Sequence, residues 1–359
     1  MKNKGVIFGA ILLVTVIAGA LYYQFYYGKA PVKQVQIKGY MGGEKKGFLA
    51  NPKVLNILKK NYGISLDATK AGSIEMVRSS NFHSSDFLWP SSQVALELFK
   101  MKNSAMLKKS DIIFNSPIVL YSWDIVTEKL IKAGIVEKVQ ESYYIVDFPK
   151  LINLVIAGKN WSEIGLDDLY GKITIISTDP TKSNSGNMFS GLLANILNND
   201  VVTMDSINNV LSDVVAFFKK LGYLEHSSGD LFEQYLRKGV GALPIIVGYE
   251  NQIVEFSLEH KELWPKVKDK IRILYPIPTV WSSHPLISLN DDATHLIQAL
   301  QDEQVQKLAW ESHGFRSGLM GIDNDPKVLD VVGIPENITK VIPMPSPEVM
   351  DTIINALSN

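Results

Sequence analysis

The chain of 359 residues contains no cysteine. This absence excludes disulfide bonds, thiolate zinc sites, cysteine nucleophiles and a lipid-modified N-terminal cysteine. Net charge is also nearly absent, because 36 lysines and arginines face 37 aspartates and glutamates. No bulk charge therefore attracts nucleic acid, and we expect no nucleic-acid partner. The apolar fraction of 46% is that of ordinary globular proteins, and the length predicts about two domains.

The sequence also lacks the common catalytic motifs. It has no HExxH, no G-x-S-x-G, no phosphate-binding P-loop and no EF-hand loop. None of the six histidines is followed, within a predicted helix, by a carboxylate or second histidine at i+3 or i+4 that would make a metal pair persuasive. They are His83, His226, His260, His284, His295 and His313. The sequence therefore predicts no catalytic residues, no metal and no cofactor, and we expect a protein that is not an enzyme.

Residues 1–28 differ from the rest of the chain. Lys2 and Lys4 precede a run from Gly5 to Gly28 that has no charged side chain. At 1.5 Å per residue, a helix of about 24 residues reaches about 36 Å, enough to cross a hydrocarbon core of ~30 Å. We predict an N-terminal transmembrane helix that serves as an uncleaved membrane anchor, with a cleaved signal as the alternative. The body then lies on the extracytoplasmic side of the cell membrane.

The body alternates predicted strands and helices. The sequence predicts a helix over Ser73–Arg78 and an apolar strand over Asp111–Tyr121 that is broken at Asn115-Ser116-Pro117. It predicts another buried strand over Lys172–Ser177 and a helix over Asn187–Leu197. Strands separated by one or two helices indicate an α/β fold with mostly parallel sheets, in which ligands bind beyond the carboxyl ends of strands.

Loops rich in serine, asparagine, threonine and glycine follow several predicted strands. The clearest is Ser177–Gly186, which precedes a predicted helix. Such loops offer hydroxyl, amide and backbone donors, and a helix N-terminus adds unpaired N–H groups that suit an anion. Ser183 and Ser185 have an alternative role, since either serine could cap its own helix. As a set, these loops favour ligand binding.

Four further stretches are informative when taken in order, namely Asp111–Trp123, Asp179–Gly186, Gly239–Gln252 and Tyr275–Arg316. Together they resemble an extracellular solute-binding protein of the type II periplasmic-binding-protein superfamily, in the branch that binds ferric iron, molybdate and sulfate. The resemblance covers residues 34–318. Ferric-iron members bring adjacent tyrosines to the cleft, whereas here Glu250 follows Tyr249.

The resemblance implies two α/β lobes around a hinged cleft. Lobe 1 is discontinuous and comprises residues 29–121 and 278–359, while lobe 2 comprises residues 122–277. The two chain crossings are expected near Tyr121–Asp124 and Tyr275–Thr279.

We expect the cleft to capture a small polar, anionic solute, for ABC-type uptake or for sensing. An ABC permease is a further expected partner, and the protein is expected to be a monomer. The predicted ligand-binding residues are Gly43, Glu44, Ser79, Ser80, Asn115, Ser116, Ser183, Ser185, Gly186, Tyr249 and Trp281.

Two alternatives stay open at this point. In the first, Tyr249 and Glu250, together with Glu44 or Asp86, bind a ferric-type metal cation, because oxygen ligands suit such ions. In the second, the protein is an envelope scaffold or sensor that keeps the fold without transporting a solute.

Overall fold

Strands and helices alternate along the body of the chain, as the sequence predicts. The computed structural model describes residues 3–26, 32–140, 142–319 and 321–358, without the side chains of residues 3–7, 24–26, 80 and 81. The strands are β1 (Val35–Met41), β2 (Ile64–Lys70), β3 (Phe87–Trp89), β4 (Lys109–Trp123), β5 (Val136–Val139), β6 (Tyr143–Asp147), β7 (Ile245–Tyr249), β8 (Ile271–Ile277), β9 (Trp281–Ser288) and β10 (Arg316–Ser317). The helices are α1 (Asn3–Tyr26), α2 (Lys46–Ala50), α3 (Pro52–Tyr62), α4 (Ser73–Arg78), α5 (Gln93–Asn103), α6 (Asp124–Lys132), α7 (Phe148–Ile156), α8 (Asn184–Asn198), α9 (Ile207–Leu221), α10 (Ser228–Lys238), α11 (Glu250–Glu259), α12 (Trp264–Val267), α13 (Asp291–Leu300), α14 (Glu303–His313) and α15 (Pro347–Ser358).

The strands form two half-sheets that share β4. In the first half-sheet the order is β2-β1-β3-β9-β4, with β10 also paired to β4. β1, β2 and β3 are parallel, and β9 is antiparallel to both β3 and β4. In the second half-sheet β4 pairs with β7 and β8, and β8 continues to β6 and β5. The result is an α/β fold with a mixed sheet. The prediction of mostly parallel sheets is wrong, because β4 pairs antiparallel with β7, β8, β9 and β10.

β4 is the strand that joins the two halves. Its residues Lys109–Pro117 pair with β9, and its residues Ile118–Trp123 pair with β7 and β8. The predicted break at Asn115-Ser116-Pro117 is wrong, because the strand continues through it. Proline has no N–H to donate to a sheet. Pro117 is therefore tolerated at the point where β4 exchanges one set of partners for the other.

The observed pairing and packing bear on where the two lobes divide. The change of partners after Pro117 lies earlier than the crossing expected near Tyr121–Asp124. The return lies between the end of β8 at Ile277 and the start of β9 at Trp281. α15, assigned by sequence to lobe 1, packs against α8 and α9 of the second half and against α5 of the first. The exact lobe limits therefore stay a prediction.

The predicted strand over Lys172–Ser177 is wrong. The segment is extended, but it makes only isolated bridges, Asn160 to Lys172 and Ile176 to Ile246. Two backbone hydrogen bonds tie Ile176 to the edge of β7. An apolar run marks burial, and here burial is reached without a continuous ladder of hydrogen bonds.

The loop after β1 is held in place by an aromatic cluster under the first half-sheet. Phe48 on α2 meets Phe114 edge-on, with 4.9 Å between ring centroids, and meets Trp89 at 6.2 Å. Burying one phenylalanine contributes roughly 1.5–3 kcal/mol to folding. Because Phe48 is buried only three residues after Lys45, it fixes the path of Glu44 and Lys45.

The N-terminal segment forms helix α1, and the described side chains from residue 8 to residue 23 are exposed. Within the part of the chain that the structure describes, however, no helix has both the length and the apolarity that crossing a membrane requires. The predicted transmembrane helix is therefore not supported.

Candidate functional site

A cavity of about 560 Å³ lies between the two halves of the molecule. Its walls are the loop after β1, the end of β2 with the start of α4, the starts of α8 and α10, and the end of β7. The residues that line it include Gly43, Glu44, Lys70, Gly72, Lys182, Ser183, Asn184, His226, Ser227, Ser228, Asp230 and Tyr249. The carboxyl ends of β1, β2 and β7 all meet this space, as expected for a ligand site in an α/β protein.

Two long helices of the second half begin at the cavity. The residues that precede α8 and α10 are Ser183 and Ser227, and both have extended backbone. Neither serine side chain caps its helix. The alternative that Ser183 is a helix cap is therefore wrong, and the first N–H groups of α8 keep their donor capacity. Each helix start also carries about half a positive charge, which favours an anion.

Hydroxyl groups lie directly behind the start of α8. The Oγ atoms of Ser183 and Ser185 are 3.1 Å apart, and Ser185 Oγ lies 2.7 Å from Oγ1 of Thr178. Ser185 is the second residue of α8, whose N-cap position is Ser183, so it does not cap the helix; its hydroxyl joins Ser183 to Thr178. The three hydroxyls form a neutral hydrogen-bonding chain on this wall.

A buried ion pair forms the wall from the first half. Lys45 Nζ donates to Glu44 Oε1 at 2.5 Å, to Ser91 Oγ at 2.8 Å and to His284 Nδ1 at 3.1 Å. Ser91 Oγ also donates to Glu44 Oε1. The Lys45 side chain has no exposed surface, and that of Glu44 is only 9% exposed. Gly42 makes this packing possible, since a Cβ there would lie 2.3 Å from Ser91 Oγ.

The protonation states follow from this packing. Burial alone would raise the pKa of the Glu44 carboxyl, but the adjacent Lys45 ammonium holds it well below its usual range. Burial, and then the Lys45 charge, lower the pKa of His284 to about 4. Burial lowers the pKa of Lys45, while the adjacent Glu44 carboxylate acts to raise it. With this pair ionised, the wall at neutral pH contains a carboxylate, an ammonium and a neutral imidazole. Because Nδ1 accepts from Lys45, the imidazole proton resides on Nε2.

The two halves touch each other beside the cavity. Asn184 Nδ2 on α8 donates to the Ser91 backbone carbonyl of the first half, at 2.9 Å. It also donates to the Tyr249 hydroxyl, at 2.9 Å. On another side, a Cβ at Gly72 would lie 2.6 Å from the Lys182 carbonyl oxygen, so only glycine permits this approach. These contacts show that the two halves of the molecule meet beside the cavity.

Four of the predicted residues line the cavity, namely Gly43, Glu44, Ser183 and Tyr249. Ser185 lies behind Ser183 in the hydroxyl chain. Gly186 has a structural role instead, because a Cβ there would lie 2.2 Å from the Thr178 carbonyl oxygen.

The other predicted residues are placed elsewhere. Ser79 borders a separate cavity of about 70 Å³, and the side chain of Ser80 lies outside the described part of the structure. Asn115 accepts from Ser283, and Ser116 donates to Asn251, so both are committed to contacts of β4. Trp281 pairs with Pro117 where β4 changes partners. A polar group inside a central strand is satisfied by its neighbours rather than turned toward a cleft.

Sequence reasoning missed most of the charged part of the site. A lysine beside a glutamate in a glycine-rich turn is typical of a solvated surface, so nothing marked Lys45 as buried. Ser91 and His284 join it only because β3 and β9 are neighbours in the sheet. No sequence pattern marked three further lining residues, Lys70, Lys182 and His226, because elements distant in sequence bring them together. Lys182 nevertheless lies in the predicted binding loop Ser177–Gly186.

A second cavity of about 420 Å³ adjoins the first and shares Gly43, Glu44, Lys70, Ser227, Ser228 and Asp230 with it. Its further charged residues are mostly acidic: Glu233, Glu255 and Glu259, against Lys46. Burial raises the pKa of Glu255, although its contact with His313 at 3.0 Å acts in the opposite direction. The cleft thus extends toward a region of carboxylates.

The alternative metal site is not assembled. The Glu250 carboxylate is fully buried and binds Arg316 through both oxygens, and it accepts from Tyr275 at 2.6 Å. Asp86 accepts from the backbone of Lys38 and from Asn290. Among the described residues, no group of three or more histidines, aspartates and glutamates is placed to hold a metal ion.

Comparison of the fold with solved structures gives consistent neighbours. The sulfate-binding protein SubI from Mycobacterium tuberculosis superposes with a TM-score of 0.55 at 14% identity, covering 91% of this chain and 96% of that one. The apo ferric ion-binding protein A of Pasteurella haemolytica gives 0.56 at 13% identity, covering 90% and 96%. The periplasmic binding protein AfuA of Actinobacillus pleuropneumoniae, solved with fructose-6-phosphate, gives 0.52 at 13%, covering 89% and 96%.

The chain has the fold of the type II periplasmic solute-binding proteins. Neither family models nor curated protein sequences gave a match. At such low identity the neighbours establish the fold alone. An α/β fold like that of the two-lobed periplasmic binding proteins, as expected from the resemblance in sequence, is confirmed, while the limits of the lobes stay a prediction.

Proposed function

We propose that the chain is an extracytoplasmic solute-binding protein that captures a small polar, anionic solute between its two halves. The observation that carries the proposal is the cavity of about 560 Å³ between the halves, lined by the starts of α8 and α10. Lys70 and Lys182 add positive charge at the same cavity. A volume of this size lies within the usual range for small-molecule sites, about 300–1,000 Å³.

Binding would be coupled to movement of the halves. In solute-binding folds a ligand held between two hinged domains favours the closed arrangement, and a few kcal/mol of differential affinity are enough. The contacts of Asn184 with Ser91 and of Gly72 with Lys182 support such an arrangement here, since they join the halves beside the cavity.

The solved neighbours support the class of function without choosing the ligand. They are named for sulfate, for ferric ion and for a bound sugar phosphate. We propose delivery of the solute to an ABC permease, or sensing of it, by a monomer that binds without catalysing a reaction. A scaffold role has less support, because polar residues line the cleft, where apolar side chains filling it would have favoured a scaffold.

We also propose that residues 1–28 act as an export signal or membrane anchor. The support is the uncharged run from Gly5 to Gly28 after Lys2 and Lys4, together with the exposed apolar side chains of α1. Fractionation of cells, followed by sequencing of the N-terminus of the exported protein, tests this. Recovery of the full chain in the cytoplasm would contradict it.

Calorimetric titration of the full chain in mild detergent tests the binding function. The panel comprises sulfate, molybdate, phosphate and small hydroxylated or amino-bearing acids, and at least one is expected to bind and to raise the melting temperature. A matched pair of variants locates the site. Ser183→Val alters the cavity wall, whereas Ser142→Val alters an exposed serine outside it. The proposal fails if no solute binds, or if both variants weaken binding equally.

A further inference from the structure

We propose that the solute is an organic molecule carrying both an anionic group and an O–H or N–H donor, and that Glu44 selects for the donor. The inference rests on the proposed function and narrows the class of ligand. It assigns to Glu44 the role of an acceptor that disfavours inorganic oxyanions whose oxygens only accept hydrogen bonds.

The Glu44 carboxylate keeps one oxygen for the cavity. Its Oε1 accepts from Lys45 and Ser91 and lies 3.4 Å from His284 Nδ1. Among the described residues, none donates a hydrogen bond to Oε2. The side chain is nine-tenths buried and lines both cavities. Glu44 Oε2 is not among the fully buried atoms without a partner, so water can reach it in the open cleft, and a ligand that displaces this water must supply a donor in its place.

Lys45 does not provide a compensating cation for the ligand. An ammonium has three donors, and those of Lys45 are taken by Glu44, Ser91 and His284. The side chain has no exposed surface. The ion pair therefore presents an acceptor to the cavity, although its total charge is zero. A sulfate or molybdate beside Glu44 would place acceptor against acceptor.

The space favours the same class of ligand. A bare oxyanion has only five heavy atoms and is far smaller than the ligands that cavities of about 300–1,000 Å³ hold, so it would leave room in the 560 Å³ cavity. The adjoining 420 Å³ cavity adds Glu233, Glu255 and Glu259. An organic solute can place its anionic group at the starts of α8 and α10 and extend its donors toward Glu44 and these carboxylates.

Titration of the full chain with four probes tests the inference: sulfate, gluconate, glucose 6-phosphate and glucosamine 6-phosphate. The two sugar phosphates differ in one group and so distinguish a hydroxyl donor from an ammonium donor. Gluconate distinguishes a carboxylate from a phosphate ester. At least one organic probe is expected to bind about tenfold or more tightly than sulfate, since hydrogen bonds to charged groups have this magnitude.

A charge-balanced variant then assigns the effect to Glu44. Glu44→Gln combined with Lys45→Met removes both charges of the pair and is expected to reduce the preference over sulfate about tenfold. Glu303→Gln with Lys307→Met removes an exposed pair outside the cleft and should leave the preference unchanged. If the first variant does not fold, titration of the unmodified chain with the four probes still tests the preference for an organic solute over sulfate.

Sulfate binding as tightly as every organic probe overturns the inference and leaves the proposed function standing. A preference that survives in the Glu44 variant overturns the role of Glu44. Absence of binding by all four probes and by the whole oxyanion and acid panel overturns the proposed function, and the inference with it.

Discussion

The wall of the cleft from the first half is built from buried charge, whereas the wall from the second half is built from neutral donors. Lys45 donates to both Glu44 and His284, and among the described residues no donor binds the second Glu44 oxygen. The second wall offers the starts of α8 and α10 with serine hydroxyls. One wall therefore supplies an acceptor and the other supplies donors, so a ligand that bridges them needs both kinds of group.

The largest expected effect comes from breaking the charged wall on one side only. Lys45→Met leaves the Glu44 carboxylate buried without its cation, and we expect the free energy of unfolding to fall by about 3 kcal/mol or more. The double variant with Glu44→Gln removes the whole pair and should recover most of the loss. Urea denaturation measures both. Equal stability of the single variant and the unmodified chain would show that this wall does not depend on the pair.

The second effect is a dependence of stability on pH that comes from the same wall. The pKa of His284 is about 4 in the folded protein against 6.5 in its unperturbed state. Between these values the unfolded chain binds a proton that the folded chain does not, so stability falls as pH falls. From pH 6.5 to pH 5 we expect a loss of about 1.5 kcal/mol, because the unfolded imidazole is only half protonated at pH 6.5 and the full slope of 1.36 kcal/mol per unit is reached at lower pH.

Staying above pH 5 limits the contribution of Glu44, whose pKa lies well below its usual range. His284→Asn removes the imidazole and should flatten the profile, measured by urea denaturation at each pH. His260→Asn controls for losing an exposed imidazole. An unchanged slope in the His284 variant would contradict the assignment.

The sequence predicts the wall of the second half better than the wall of the first half, because only the former depends on a local pattern. Ser183 was found because a polar loop before a helix is a local pattern, and its capping role could be weighed in advance. The α4 helix over Ser73–Arg78 was predicted with its observed limits for the same reason. The cluster around Lys45 depends on the neighbours β3 and β9, which place Ser91 and His284 beside a turn distant in sequence. No local pattern records that pairing.

The crossing strand shows the same limit. Its apolar residues predicted burial correctly, but Pro117 was interpreted as a break. In the structure the missing N–H falls where β4 exchanges β9 for β7 and β8, so it costs little. Which strands flank a proline is a property of the whole sheet, and it decides whether the proline ends a strand.

A smaller effect is expected where the two walls meet. Tyr249→Phe removes one of the two acceptors of Asn184 Nδ2 and leaves the Ser91 carbonyl as the other. We expect the free energy of unfolding to fall by about 1 kcal/mol, the usual net worth of one hydrogen bond. Tyr223→Phe changes an exposed hydroxyl and should change stability less. A loss as large as that of Lys45→Met would mean that the walls do not differ as described.

The smallest effect is expected at the mouth of the donor wall. Lys182 lines the cavity with its side chain 56% exposed, and Lys307 is 57% exposed outside it. Because solvent and salt screen exposed charges, Lys182→Ala should weaken binding of glucose 6-phosphate only about two- to fivefold at low ionic strength, and less at 0.5 M salt. Lys307→Ala should leave the affinity unchanged at both salt concentrations. Titration at the two salt concentrations separates the outcomes. A loss of affinity that persists at high salt would mean that Lys182 is desolvated against the ligand. The wall of the second half would then hold a fixed charge, as the wall of the first half does.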